Sequence, residues 1–355
     1  MKWFPILFFA LAFAGCEPAS NSSNPPRSGN DGYTGVHQIQ GVSRYSLAEP
    51  IVSENLTVIP VVLSTAQDAP SQGSQKPDEY ITLSEAKQKA LVEIHEIPGN
   101  EQVGSLEVKN LGERPLLLLA GELLLGGKQD RVVAKDTVVP PGEMIRVPVF
   151  CVEQGRWTGE TGKFVAADSM VPQSVRRKAA FGTQSEVWDR VYTANQAAKA
   201  SPSITSVRGG WGSEKVQSRI ETNLAPLREA LARHPGAVGM VCAINGEIET
   251  LELFGSPGLF RASCESLLKG FLAEAALNVK SDYERVSLAT TAAFVRNAMS
   301  GDRRQTRIGR GEAYRTVAGA GVIGREATAP NADATAAPSK LNEGFLHGTY
   351  AHEAK

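Results

Sequence analysis

A carboxylate stands inside a nearly unbroken run of leucines. Residues 116–125 read LLLLAGELLL, with Glu122 the one charge among them. A strand that is apolar on both faces belongs inside a layered domain, with other elements covering it on either side. A lone buried charge costs too much to leave uncompensated, so Glu122 must be paired, hydrogen-bonded or neutralised by a shifted pKa. Gly121 interrupts the run, as at a bulge or a close backbone approach.

The flanking patterns give a mixed α+β fold. Leu56–Ser64, Val92–Ile97, Val103–Asn110, Arg131–Val139 and Met144–Glu153 read as strands, the last two separated by the turn Pro140-Pro141-Gly142. Thr82-Leu83-Ser84-Glu85 fits a capping box that opens a short helix over 83–90. The second half is more helical, with helices expected over 186–198, 223–234, 257–278 and 287–299. Asn245-Gly246 joins strands 238–244 and 247–254 in a hairpin. Residues 200–213 read as loop, and strands around 311–318, 320–326 and 344–351 close the chain, with 327–341 as a mobile loop. The expectation is a single α+β domain over 33–355, its N-terminal half β-rich and its C-terminal half built of helices and hairpins.

The N-terminus has a different character. Residues 1–15, MKWFPILFFALAFAG, place Lys2 before an apolar run and small residues before Cys16. The run is shorter than the about 20 apolar residues a membrane-spanning helix needs, and it has the order of a secretory signal peptide. Phe13-Ala14-Gly15-Cys16 resembles a lipobox, in which Cys16 receives a diacylglyceryl group. Residues 17–32 are almost free of apolar side chains and read as a flexible tether. The expected product is a lipoprotein of the cell envelope, held to the membrane by its N-terminal lipid and facing the periplasm. Glu17, in place of an aspartate, favours the outer membrane in a Gram-negative cell.

With 37 basic and 38 acidic residues, bulk charge implies no nucleic-acid partner. Three cysteines follow Cys16, namely Cys151, Cys242 and Cys264, so a fully paired framework is excluded. A Cys242–Cys264 bridge and buried free thiols both fit their apolar settings. No CxxC or HExxH spacing occurs and the five histidines are scattered, so no metal and no cofactor is implied. His95 and His347 read as strand residues, and Gly309-Arg310-Gly311 as turn chemistry.

The densest polar cluster in an apolar setting spans 116–157. Lys128, Gln129, Asp130 and Arg131 follow Gly126-Gly127, where the backbone can turn sharply. Alternation along Ile145–Glu153 puts Ile145, Val147, Val149, Cys151 and Glu153 on one face. Cys151 reads as packing. Arg156 beside Trp157 can hold an anion while the indole covers a flat group. One reading makes this a site for an anionic small molecule, with Lys128, Gln129, Arg131 and Arg156 as ligands, Trp157 stacking, and Glu122 or Glu153 as general acid/base. The other makes it a buried ion-pair network in which Glu122 and Glu153 pair with Arg131 and Arg156.

The segments GELLLGGKQDRVV and PVFCVEQGRW resemble the ARG and Rhodanese-Phosphatase-superfamily-associated protein domain family. The resemblance extends over YITLSEAKQKALVEIHEI, SEVWDRV, VGMVCAINGEIETLELF, GEAYR and FLHGTYAHEA, which is most of the chain after the tether. It implies a link to nucleotide or ADP-ribose metabolism and brings no catalytic residue with it. The alternative function is a non-catalytic envelope scaffold that binds a protein or glycan partner.

Overall fold

The computed structural model describes residues 35–65, 79–97, 104–155, 162–308, 312–329 and 344–353. The leader, Cys16, the tether, Arg156, Trp157, Gly309-Arg310-Gly311 and most of the 327–341 loop lie outside the described residues.

Four strands open the domain: β1 (His37–Ile39), β2 (Val42–Leu47), β3 (Ile51–Ser53) and β4 (Leu56–Leu63). A short β5 (Ile81–Thr82) runs into α1 (Leu83–Gln88), where Thr82 and Glu85 form the expected capping box. Then come β6 (Val92–His95), β7 (Ser105–Asn110), β8 (Leu116–Leu118), β9 (Glu122–Gly126), β10 (Arg131–Val133), β11 (Thr137–Val139), β12 (Met144–Cys151) and β13 (Phe164–Met170). Four helices follow: α2 (Gln173–Phe181), α3 (Gln184–Ala197), α4 (Arg208–Trp211) and α5 (Glu214–Ala232). The hairpin of β14 (Ala237–Ile244) and β15 (Glu247–Phe254) precedes α6 (Pro257–Leu277) and α7 (Leu288–Ser300). Last are β16 (Asp302–Ile308), β17 (Glu312–Gly319), β18 (Val322–Thr328) and β19 (Phe345–His352). The fold is α+β.

The first and last strands share one ten-stranded sheet, ordered β1-β2-β4-β14-β15-β19-β18-β17-β16, with β3 on β4. The β-rich start of the chain is therefore not a separate layer. One face carries Ile59, Val61, Val241 and Leu251 against Phe294 and Val295 of α7. The other carries Val58, Val62 and Met240 against Leu267 and Phe271 of α6 and Leu227 of α5. A six-stranded sheet (β13-β9-β10-β12-β7-β6) and a three-stranded sheet (β11-β8-β5) enclose a further core that includes Leu106, Leu118, Leu124 and Val149. Cys151, Cys242 and Cys264 are buried free thiols, so the bridge between the last two is absent.

The main departure from the sequence reading lies at Glu122. Leu116–Leu125 is not one strand. The chain turns at Ala120-Gly121, sending β8 into the three-stranded sheet and β9 into the six-stranded one. Arg131–Val139 breaks in the same way between β10 and β11. The two breaks are pinned together, since Ala120 N–H donates to Asp136 Oδ1 at 2.7 Å and Gly121 N–H to Val133 O at 2.8 Å. Apolar composition runs straight through both breaks, which is why it could not show them. Helix α5 also starts nine residues before Asn223, capped by the Ser213 hydroxyl on Val216 N–H. Buried Val216 and Ile220 continue the apolar stripe through these first turns, whose other side chains are mostly polar.

Gly121 has φ +97°, and a Cβ there would lie 2.4 Å from Arg176 Cγ. Gly121→Ala is expected to lower stability by more than about 1 kcal/mol, from the left-handed backbone and the clash together. Urea denaturation reads this directly, and an unchanged midpoint would count against the close approach.

Candidate functional site

The structure divides the polar residues of 116–157 between two places. Glu122 joins one cluster; Lys128, Gln129, Arg131 and Glu153 belong to another.

The first cluster lies where the large sheet meets the two strand breaks. Its centre is Glu252 on β15, a residue with no exposed surface. Arg176 of α2 donates to it in bidentate fashion, Nη1 to Oε1 at 2.5 Å and Nη2 to Oε2 at 3.0 Å. Thr250 and Thr349 hydroxyls donate to Oε1 at 2.9 and 3.0 Å. His347 of β19 places Nε2 2.9 Å from Glu252 Oε2 and Nδ1 2.6 Å from Asp136 Oδ2. Arg176 Nε donates to Ala120 O at 2.8 Å. One chain of bonds thus ties β15, β19, α2 and both strand breaks together.

Both imidazole nitrogens of His347 face carboxylate oxygens, which only accept, so the ring is the doubly protonated cation. Burial alone would lower its pKa, but Asp136 and then Glu252 raise it to about 9. Burial likewise pushes Glu252 up, and Arg176 with His347 overrides this to hold it at about 2. Two cations and two anions leave the network neutral. Glu122 adds no charge: burial is the main cause raising its pKa to about 8, against a hydrogen bond from Leu119 N–H at 2.9 Å. It has no ion pair among the described residues. Beside it is a cavity of about 10 Å³, lined by residues including Asp168, Ser169 and Ser266, which has room for a single water.

The second cluster sits at the end of β12. Asp130 is fully buried and accepts from Arg208 Nε at 2.6 Å and Nη2 at 2.8 Å. Gln129 Nε2 donates to Glu153 O at 2.8 Å, and Asp130 N–H to Glu153 Oε2 at 3.2 Å. Arg131, buried, donates to Gln129 and Asp130 backbone oxygens. Of the expected ion pairs, one from Arg131 to Glu122 is not found among the described residues, and Asp130 pairs with Arg208. Lys128 is half-buried, and its backbone N–H donates to Glu96 Oε1 at 2.7 Å. Cys151 follows the Val147 and Val149 row inward as the alternation requires, and burial pushes its thiol above the ordinary range, which suits packing.

The model of the ARG and Rhodanese-Phosphatase-superfamily-associated protein domain matches residues 44–338. The chain belongs to this family. The match takes in Glu122, Asp136, Arg176 and Glu252, while His347 lies just past its end. No curated protein and no solved structure matches the chain.

In this family member, sequence reasoning missed Asp136, Arg176, Glu252 and His347. A signal for Glu252 did exist. Strand β14 is buried at every position, and Met240 on it pairs with Glu252. Far from the hairpin turn a polar residue opposite such a strand is covered, whereas Glu247 beside the turn, opposite buried Ile244, is exposed. His347 is a strand residue, as expected, but its side chain is also the bridge between two carboxylates.

Glu252→Gln leaves Arg176 and His347 without their shared counter-charge, and about 3–5 kcal/mol of stability should be lost in denaturant melts. The pH dependence has two parts. Glu122 and His347 both have raised folded pKa values, so stability is greatest in acid and falls as pH rises, between 4.5 and about 8 for Glu122 and between 6.5 and about 9 for His347. Glu252 acts oppositely, losing its contribution only as pH falls from 4.5 towards about 2. Glu122→Gln should therefore flatten the decline between pH 5 and 6.5 and leave the His347 decline. Identical pH profiles for the two proteins would mean that Glu122 titrates as it does in water.

Proposed function

We propose that this protein is an envelope lipoprotein, anchored through Cys16, whose domain binds a protein or glycan partner and carries out no reaction in the 116–157 region. The observation behind this is the closure of the Glu122 cluster. Its four charges cancel, their hydrogen bonds are made to one another and to the backbone, and the adjoining space takes one water. A general acid/base has to reach a substrate proton within hydrogen-bond distance, and the space beside Glu122 holds about one water. The polar residues of this region then serve architecture, and the leader and tether pattern suits a domain displayed on a membrane.

A second reading keeps capture of an anionic small molecule, nucleotide- or ADP-ribose-like, at the outer rim of the same region. Half of the Arg208 side chain is exposed there, beside Gln129 and Glu153. Its guanidinium is already neutralised by Asp130, which weakens its attraction for a further anion.

Cys16→Ala should abolish lipid labelling and detergent-phase partitioning; unchanged partitioning would refute the lipoprotein reading. Folded Glu122→Gln should retain cellular function while Cys16→Ala loses it. Loss of function in a stably folded Glu122→Gln protein would return the site to catalysis. Thermal stabilisation by ADP-ribose that disappears in Arg208→Ala would favour the second reading.

A further inference from the structure

Away from the 116–157 region, the β1–β2 turn and the end of α7 enclose a cavity of about 190 Å³. Ser43, Arg44, Tyr45, Arg296, Met299 and Ser300 are among the residues lining it. Arg44, on β2, is only 8 % exposed, and its Nε has no hydrogen-bond partner. The guanidinium carbon lies 5.7 Å from the centre of the Tyr45 ring. No carboxylate pairs with Arg44 among the described residues.

The buried carboxylate of this neighbourhood is committed through one oxygen, Oε1, while its Oε2 has no hydrogen-bond partner. Glu326 accepts from Arg303 Nε at 2.9 Å and from the Tyr350 hydroxyl at 2.7 Å, and Arg315 lies 3.9 Å away. Glu326 and Arg303 both act on the Tyr45 hydroxyl, so this cluster adjoins the cavity's wall. Arg303 also donates to the carbonyls of Ala298, Met299 and Gly301, which blunts the negative end of α7. Arg296 adds an exposed guanidinium on α7, with no ion pair among the described residues. Among the described residues that line the cavity, the charged ones are Arg44 and Arg296, both positive. A buried guanidinium without a counter-charge is costly, and an anion from solution would remove that cost.

We propose that this cavity binds a small phosphate-type oxyanion between Arg44 and Arg296, with the Ser43 hydroxyl as a further donor. Two guanidiniums from different elements plus a hydroxyl offer more N–H and O–H groups than the two oxygens of a carboxylate can take up. A tetrahedral phosphate accepts from all sides. The volume is below the roughly 300–1,000 Å³ of sites for drug-sized ligands, which selects inorganic phosphate or a small phosphomonoester over a nucleotide or ADP-ribose. This site is independent of the lipoprotein reading and of the Arg208 rim.

The test is calorimetric titration of the full chain, in mild detergent, with inorganic phosphate, glycerol 3-phosphate, acetate and ADP-ribose. Saturable binding of the first two is expected, weakened about ten-fold or more in Arg296→Ala and in Arg44→Gln, as for loss of a charged hydrogen bond. Arg296 is exposed, so its variant keeps the test valid should Arg44→Gln fail to fold. Absence of saturable phosphate binding, equal affinity in Arg296→Ala, or acetate binding as tight as phosphate would each overturn the proposal. Arg296-dependent pelleting with phosphatidic acid vesicles, competed by inorganic phosphate, would support the site and place its phosphate on a lipid.

Discussion

The bidentate pair of Arg176 and Glu252 is the interaction on which the arrangement of the sheets depends. It spans the boundary between the ten-stranded sheet and the smaller sheets, and it is sealed from water. Such a pair is tolerable only because every neighbouring polar group helps to satisfy it. Two threonines, His347 and the Ala120 carbonyl complete its hydrogen bonds, and Asp136 balances the histidine. A buried ion pair often adds little net stability over apolar packing, but losing one member is severe. Its effect here is to specify where the β8–β9 and β10–β11 breaks dock on the large sheet.

A second buried glutamate occupies the opposite face of that sheet. Thr349, which donates to Glu252, and Tyr350, which donates to Glu326, are neighbours on β19 and so point to opposite sides. The Glu252 cluster closes with its charges balanced. On the Glu326 side, Arg44 faces a cavity with no carboxylate paired to it among the described residues. The same physical rule therefore reads one cluster as structural and the other as open to a ligand.

That contrast bears on function more than the leucine-embedded Glu122 does. A protonated carboxyl held in a closed core is a common way to tolerate a buried acid. Membership of the family fixes no chemistry for this chain. The proposed tethered binding domain accommodates both the closed ion-pair network and the arginine-lined cavity.

The sequence alone determined the local elements whose signals are local. The Thr82–Glu85 capping box, the Asn245-Gly246 hairpin and the long apolar helix from Pro257 all depend on residues a few positions apart. It also showed that Glu122 must be neutralised or partnered, since that follows from its leucine neighbours. Tertiary structure decided everything that depends on distant partners. His347 lies 211 residues from Asp136 and 95 from Glu252, so no spacing rule could join them. The breaks at Gly121 and Asp136 were hidden because apolar side chains continue through them while the backbone changes sheet. Arg44 carried no signal in the sequence, because the cavity it lines is completed by Arg296, Met299 and Ser300, about 250 residues further along the chain.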